Sequence, residues 1–252
     1  MITTLDAGLA WAPYLTGDHT GFVLAVFRKA VYLKFDSDVL ALVTTEVPPG
    51  PLHLRLSHLR PCKRGDVVEL HPGTNGSMQF RSGIDVVEFG RPRTWMPATI
   101  DGARLRQIKP AFPVAARSDL AGSAVIDVAG QRLAQHDLAG AAAALAGLGS
   151  GLTPAGDDVL AGVLLVGAIT EGYAANGLMS VANEAQTHDI SRAFLRWAAV
   201  GQSIAPVHQL LAALTEQDHP LIERAQTAVA TIGATSGADL LLGIEIALDA
   251  LR

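Results

Sequence analysis

The chain has 252 residues, 49% of them hydrophobic and 17% charged, with a formal net charge of −5 and a single cysteine, Cys62. This composition excludes a disordered chain and a disulfide framework or thiolate-rich metal site, and it argues against nucleic acid as a partner, because such binders carry a basic patch. The charge is uneven: residues 1–133 hold 15 Lys and Arg against 12 Asp and Glu, whereas residues 134–252 hold 4 against 12.

The opening Met1-Ile2-Thr3-Thr4-Leu5-Asp6 lacks the basic region and small-residue cleavage site of a signal peptide. The longest apolar run, residues 159–169, is about half of the ~20 residues that a membrane span needs. The expectation is a cytoplasmic protein with no membrane partner. Residues 1–20 have no clean period and read as irregular or as a short helix.

From Gly21 short β-rich runs follow at 22–27, 31–35 and 39–43, an antiparallel meander. Pro48, Pro49 and Pro51 break it. Further strands are expected at 52–56, 66–70, 77–80 and 84–89, with residues 73–76 as a turn. These predict an N-terminal antiparallel β-sandwich or barrel-like domain. Within it His53 and His58, near Arg55 and Arg60, read either as an anion-binding cluster or as solvated and core-edge residues. Cys62, beside Lys63 and Arg64, reads as a structural cysteine or as a nucleophile whose thiolate those cations would favour. Arg91-Pro92-Arg93 and Met96-Pro97 mark a linker, which places a mainly β domain at 1–115.

Residues 116–252 read as an all-helical domain, so the fold class is α+β. Helices are expected at 138–148, 159–169, 178–185, 190–197, 207–214, 221–231 and 240–251. Between the first two lies Gly147-Leu148-Gly149-Ser150-Gly151-Leu152-Thr153-Pro154-Ala155-Gly156-Asp157-Asp158. Thr153 is placed to cap the following helix and Pro154 to be its first residue. A glycine loop that ends at a helix N-terminus gathers free N–H groups and the positive end of the dipole, which suits an anion; tight packing explains the same glycines. No Gly-Lys-Ser/Thr follows, so this is not a Walker loop.

Near the C-terminus Gly233-Ala234-Thr235-Ser236-Gly237-Ala238-Asp239 repeats the pattern, and Ser236 with Asp239 has the spacing of a capping box. Both copies read Gly-x-Asp-x-Leu-x-Gly, through Gly156, Asp158, Leu160 and Gly162 and through Gly237, Asp239, Leu241 and Gly243. Either the repeat is a duplication used for packing, with Gly162 and Gly243 allowing close helix approach, or it brings two N-termini to one site. In the functional version Gly149, Ser150, Gly151, Thr153, Gly156, Thr235, Ser236 and Gly237 bind a small anionic substrate. Asp157, Asp158 and Asp239 then act on a substrate amide, or Asp157 and Asp158 take Mg²⁺. Balancing arginines would come from the N-terminal half or another chain, a homo-oligomer being compatible with this. In Thr187-His188-Asp189-Ile190-Ser191, His188 and Asp189 read as a proton-transfer pair and Ser191 with Arg192 as an oxyanion site, or all of them as caps and an exposed helix face.

The run Gly149 through Gly162 resembles the signature of the AllH-like family, long listed as a domain of unknown function. Residues 187–195 and 232–239 are similar to that family's two later motifs, in the same order. One departure is Ala234, where the family pattern leads one to expect histidine. The resemblance implies a subunit of oxamate carbamoyltransferase, acting with an FdrA-like protein and a further subunit in allantoin breakdown. That reaction moves the carbamoyl group of oxalurate to phosphate, giving oxamate and carbamoyl phosphate. A non-catalytic anion-binding or assembly subunit is the alternative.

Overall fold

Apolar residues at every second position shape the N-terminal half, and long apolar helices shape the rest. In the computed structural model, which describes residues 2–74, 77–83 and 85–252, the chain divides into two units, Met1–Met96 and Pro97–Arg252. Asn75 and Gly76 of the expected turn, and Ile84 of the expected strand 84–89, lie outside the described residues.

The first unit contains β1 (Thr4–Ala7), a 3-10 helix (Leu9–Leu15), β2 (His19–Val26), β3 (Ala30–Phe35), β4 (Asp38–Thr44), β5 (His53–Leu56), β6 (Val67–Pro72), β7 (Met78–Ser82), β8 (Asp85–Phe89) and β9 (Arg93–Thr94). They form one sheet in the order β8-β7-β6-β2-β3-β4-β5-β1-β9, curled into a half-barrel. Val31, Leu33 and Phe35 of β3, Val68 and Leu70 of β6, and Met78 and Phe80 of β7 are buried at period two, as the pleat requires. Trp11, fully buried, closes the unit and donates its indole N–H to Leu52 O at 2.9 Å.

The sheet is mixed: β4 pairs with β5 and β1 with β9 in parallel. Pro48, Pro49 and Pro51 account for the first of these, because they remove backbone donors and fix φ where a tight hairpin would form. The chain returns along a loop and enters β5 in the direction of β4. The short β1 and β9 carry too little pattern to be read from sequence.

The second unit is helical: α1 (Gly102–Leu105), a 3-10 turn (Ala115–Arg117), α2 (Ala124–Ala134), α3 (Leu138–Leu145), α4 (Ala155–Ile169), α5 (Ala175–Glu184), α6 (Asp189–Ala198), α7 (Ala205–Glu216), α8 (His219–Ala230) and α9 (Ser236–Ala250). The α+β class is therefore as expected. Every residue from Val159 to Gly167 of α4 is buried, so this helix is apolar all round, as a central helix must be. α9 packs along it, and α3, α5 and α6 also touch it.

The repeat seen in the sequence is a structural repeat of two helical hairpins. In the first, Leu148 N–H donates to Leu145 O and Gly156 N–H to Leu148 O; in the second, Ile232 N–H donates to Val229 O and Gly237 N–H to Ile232 O. Gly149 and Gly233, each one residue further on, both have positive φ, +117° and +60°, a region glycine enters without a steric cost. The first loop is longer by the three residues Ser150, Gly151 and Leu152.

Candidate functional site

The helix starts differ by one residue from the sequence reading. α4 begins at Ala155 with Pro154 as its N-cap, and Asp157 and Asp158 N–H both donate to Pro154 O, at 2.9 and 3.2 Å. Proline's φ of −54° and ψ of 145° suit an extended cap as well as a first helical residue, so backbone torsion alone did not separate the two. Thr153, no longer needed as the cap, turns its hydroxyl to within 3.4 Å of Ser236 Oγ. Likewise α9 begins at Ser236 with Thr235 as its N-cap. The capping box of Ser236 with Asp239 does not form, and the Ser236 hydroxyl instead faces Asp158.

Asp157 is 2% exposed, and both its oxygens are engaged. Oδ1 accepts the Gly147 N–H at 2.7 Å and Oδ2 accepts the Thr187 hydroxyl. The carboxylate thus ties the start of the glycine loop, the start of α4 and the segment before α6 together. Ser191, 2% exposed on α6, donates to Leu152 O at 3.1 Å and fastens the other end of the loop. Arg192 donates to Ala185 O, Thr187 O and Asp189 Oδ1, so its guanidinium holds the α5–α6 connection in shape. His188 and Asp189 are exposed at the start of α6.

Asp158 and Asp239 occupy equivalent places in the two hairpins, one turn into α4 and α9. Each has an oxygen, Oδ2, that is buried without a hydrogen-bond partner. Burial pushes the Asp158 carboxyl well above the usual carboxylate range; Ser236 opposes the shift, and the neighbouring Asp239 and Asp157 add to it. Burial likewise raises Asp239, against the hydroxyls of Ser118 and Thr235, with Asp119 adding like charge. Two desolvated acids of like sign favour retention of a proton, since both cannot ionise cheaply.

Sequence reasoning missed Ser118, which donates to Asp239 Oδ1 at 2.5 Å from 121 positions earlier in the chain. No local pattern could have found it: the 3-10 turn that carries it has no period and meets α9 only in three dimensions.

The anion reading of the loops is narrowed by where the donors go. The N–H groups of Gly147, Gly156, Asp157, Asp158 and Gly237 are all consumed inside the fold. The outward part of the first loop, Gly149, Ser150 and Gly151, is exposed. Ala234 is also exposed, next to the buried carboxyl pair's second hairpin. The donor set does not fit Mg²⁺: Asp157 has no free oxygen, and among the described residues no group of three or more His, Cys, Asp or Glu is placed to hold a metal.

In the β unit, His53 is buried and its Nδ1 is 2.8 Å from Pro48 O, while Arg55 forms a bidentate pair with Asp6 at 2.8–3.2 Å. Both are structural engagements within the sheet. Cys62 is half-buried, and burial with the nearby Asp66 pushes its thiol up, which disfavours the thiolate.

A glycine-hinged helical hairpin, duplicated so that two buried carboxyls share one junction, defines this helical unit and follows a half-barrel sheet. Residues 145–248 match the model of the AllH family, described as oxamate carbamoyltransferase subunit AllH, and the resemblance carried by the three motifs holds over that span. No curated protein and no solved structure gives a significant match. No helix among the described residues is long and apolar enough to cross a membrane.

Proposed function

We propose that this chain is a subunit of an oxamate carbamoyltransferase-like complex that moves a carbamoyl group between oxalurate and phosphate. The partners are an FdrA-like subunit and a further subunit, and the setting is nitrogen recovery from allantoin. The observation that carries this reading is what the family match covers. Residues 145–248 take in both glycine loops, the starts of α4 and α9 with Asp158 and Asp239, and the α6 segment that braces the first loop.

In this reading residues 116–252 form the functional domain. Asp158 and Asp239 supply acceptor oxygens for the carbamoyl NH₂, which a neutral-plus-ionised carboxyl pair accommodates better than it would an anion. The exposed Gly149, Ser150 and Gly151 offer backbone and hydroxyl donors to a carboxylate or phosphate oxygen. Asp157 holds the loop and does not meet substrate. The second reading, an assembly subunit without chemistry of its own, is favoured by one observation: most of the N–H groups at the two helix starts are already spent within the fold.

Reconstitution of the complex with wild-type chain and with Asp158→Asn or Asp239→Asn separates the two. Carbamoyl phosphate formation falls by about a hundredfold if the carboxyls orient substrate. Wild-type turnover in both variants, with the complex intact by gel filtration, leaves only the assembly role.

A further inference from the structure

Ser118 lies outside the family-matched span and outside all three motifs, yet it is 6% exposed and bonded to Asp239. Its place is set by the short 3-10 turn Ala115–Arg117, whose Ala115 O accepts the Ser118 N–H at 3.0 Å. The hydroxyl oxygen in turn accepts the Leu120 N–H at 3.1 Å. A hydroxyl that accepts one hydrogen bond is a better donor in the next, because the bonds polarise one another. Asp158 faces the hydroxyl of Ser236, Asp239 faces those of Ser118 and Thr235, and each keeps a buried Oδ2 with no partner.

We infer that Ser118 is a positioning residue of the carboxyl site: it fixes Asp239 through Oδ1, favours its ionised form, and leaves Oδ2 as the oxygen that accepts a substrate N–H. This rests on the reading of Asp239 as part of the substrate site. Asp119, next to Ser118, adds like charge at Asp239, and Asp239 in turn adds like charge at Asp158 on α4.

The test uses the full chain, alone and in the reconstituted complex, with Ser118→Ala, Ser118→Thr and Asp239→Asn. A charge-assisted hydrogen bond of this kind corresponds to about a tenfold to a hundredfold change. Ser118→Ala is expected to lower kcat by that amount with KM unchanged, and to move the acid limb of the pH profile upward by about one pH unit. Carboxyl NMR of the chain alone, with the Asp239 resonance assigned through Asp239→Asn, should show the same upward movement. Ser118→Thr keeps the hydroxyl and should restore both readouts; thermal melting confirms that each variant folds. The inference is overturned if Ser118→Ala leaves the Asp239 titration in place, or if kcat falls without a shift and Ser118→Thr fails to rescue it. Wild-type activity in Asp239→Asn defeats the site reading instead, and the inference with it, even where the NMR titration moves.

Discussion

Gly162 of α4 and Gly243 of α9 each press against the backbone of the other helix. A Cβ on Gly162 would lie 2.4 Å from Leu240 O, and one on Gly243 would lie 2.0 Å from Val159 O. Val159 and Leu240 are themselves equivalent positions, three residues before each glycine. The contact is therefore nearly reciprocal, and it brings the two helices to backbone distance just inside their N-termini, where Asp158 and Asp239 stand.

Replacement of either glycine by alanine should destabilise the helical unit. The obstructing atoms are backbone carbonyls, which cannot rotate away, so the helices must separate. Gly243→Ala, with the closer contact, is expected to cost about 3 kcal/mol in urea denaturation and Gly162→Ala somewhat less. Gly130 of α2 is the internal control: a Cβ there meets nothing within 4 Å, so Gly130→Ala should stabilise by about 0.5–1 kcal/mol through helix propensity.

Asp158→Asn should raise stability, and only in one pH range. The folded carboxyl is raised above its unfolded value of about 3.9, so the folded state holds more protons than the unfolded state between the two. Wild-type stability accordingly falls as pH rises through that window. The neutral amide has no such loss. Its melting temperature should exceed that of wild type by about 2–4 °C at pH 7–8, and the two curves should converge near pH 4.

Asp157 should behave in the opposite way from its neighbour. With both oxygens accepting hydrogen bonds at a buried position, Asp157→Ala leaves two inward donors unmet and is expected to cost about 3 kcal/mol. Thr187→Val should cost about 1–2 kcal/mol. A double-mutant cycle on the pair should give a coupling of about 1 kcal/mol or more; strict additivity would remove the link between the loop and α6.

His53 predicts an acid-sensitive β unit. Burial lowers its pKa to about 4, against the effect of the Pro48 carbonyl and with Arg55 adding to the fall. The unfolded value is about 6.5, so the unfolded state binds the extra proton first as pH drops. Stability is lost from about pH 6.5 downward and levels off below about pH 4. In a thermal titration His53→Gln should show a shallower decline over that window than wild type.

Much of this could be read from the chain. β-Rich runs at residues 31–35 and 66–70 announced strands, and the unbroken apolar run after Asp158 announced a buried helix. The repeated Gly-x-Asp-x-Leu-x-Gly marked Asp158 and Asp239 as equivalents and offered Gly162 and Gly243 as points of close helix approach, one of its two readings. These are local signals: they depend on side-chain spacing along one element, which a sequence states directly.

What tertiary structure alone decided is the division of labour among polar groups. The sequence presented Asp157 and Asp158 as one acidic pair at a helix start. Only the fold shows that Asp157 spends both oxygens on Gly147 and Thr187, while Asp158 turns to Ser236 and the second hairpin. It also brought Ser118 to Asp239, and it turned inward the N–H groups that a glycine loop promised to an anion. Hydrogen-bond partners are set by geometry across distant segments, and a buried donor or acceptor takes whichever partner packing places within reach. Residue types and spacing state which groups need partners; the folded backbone decides which ones they get.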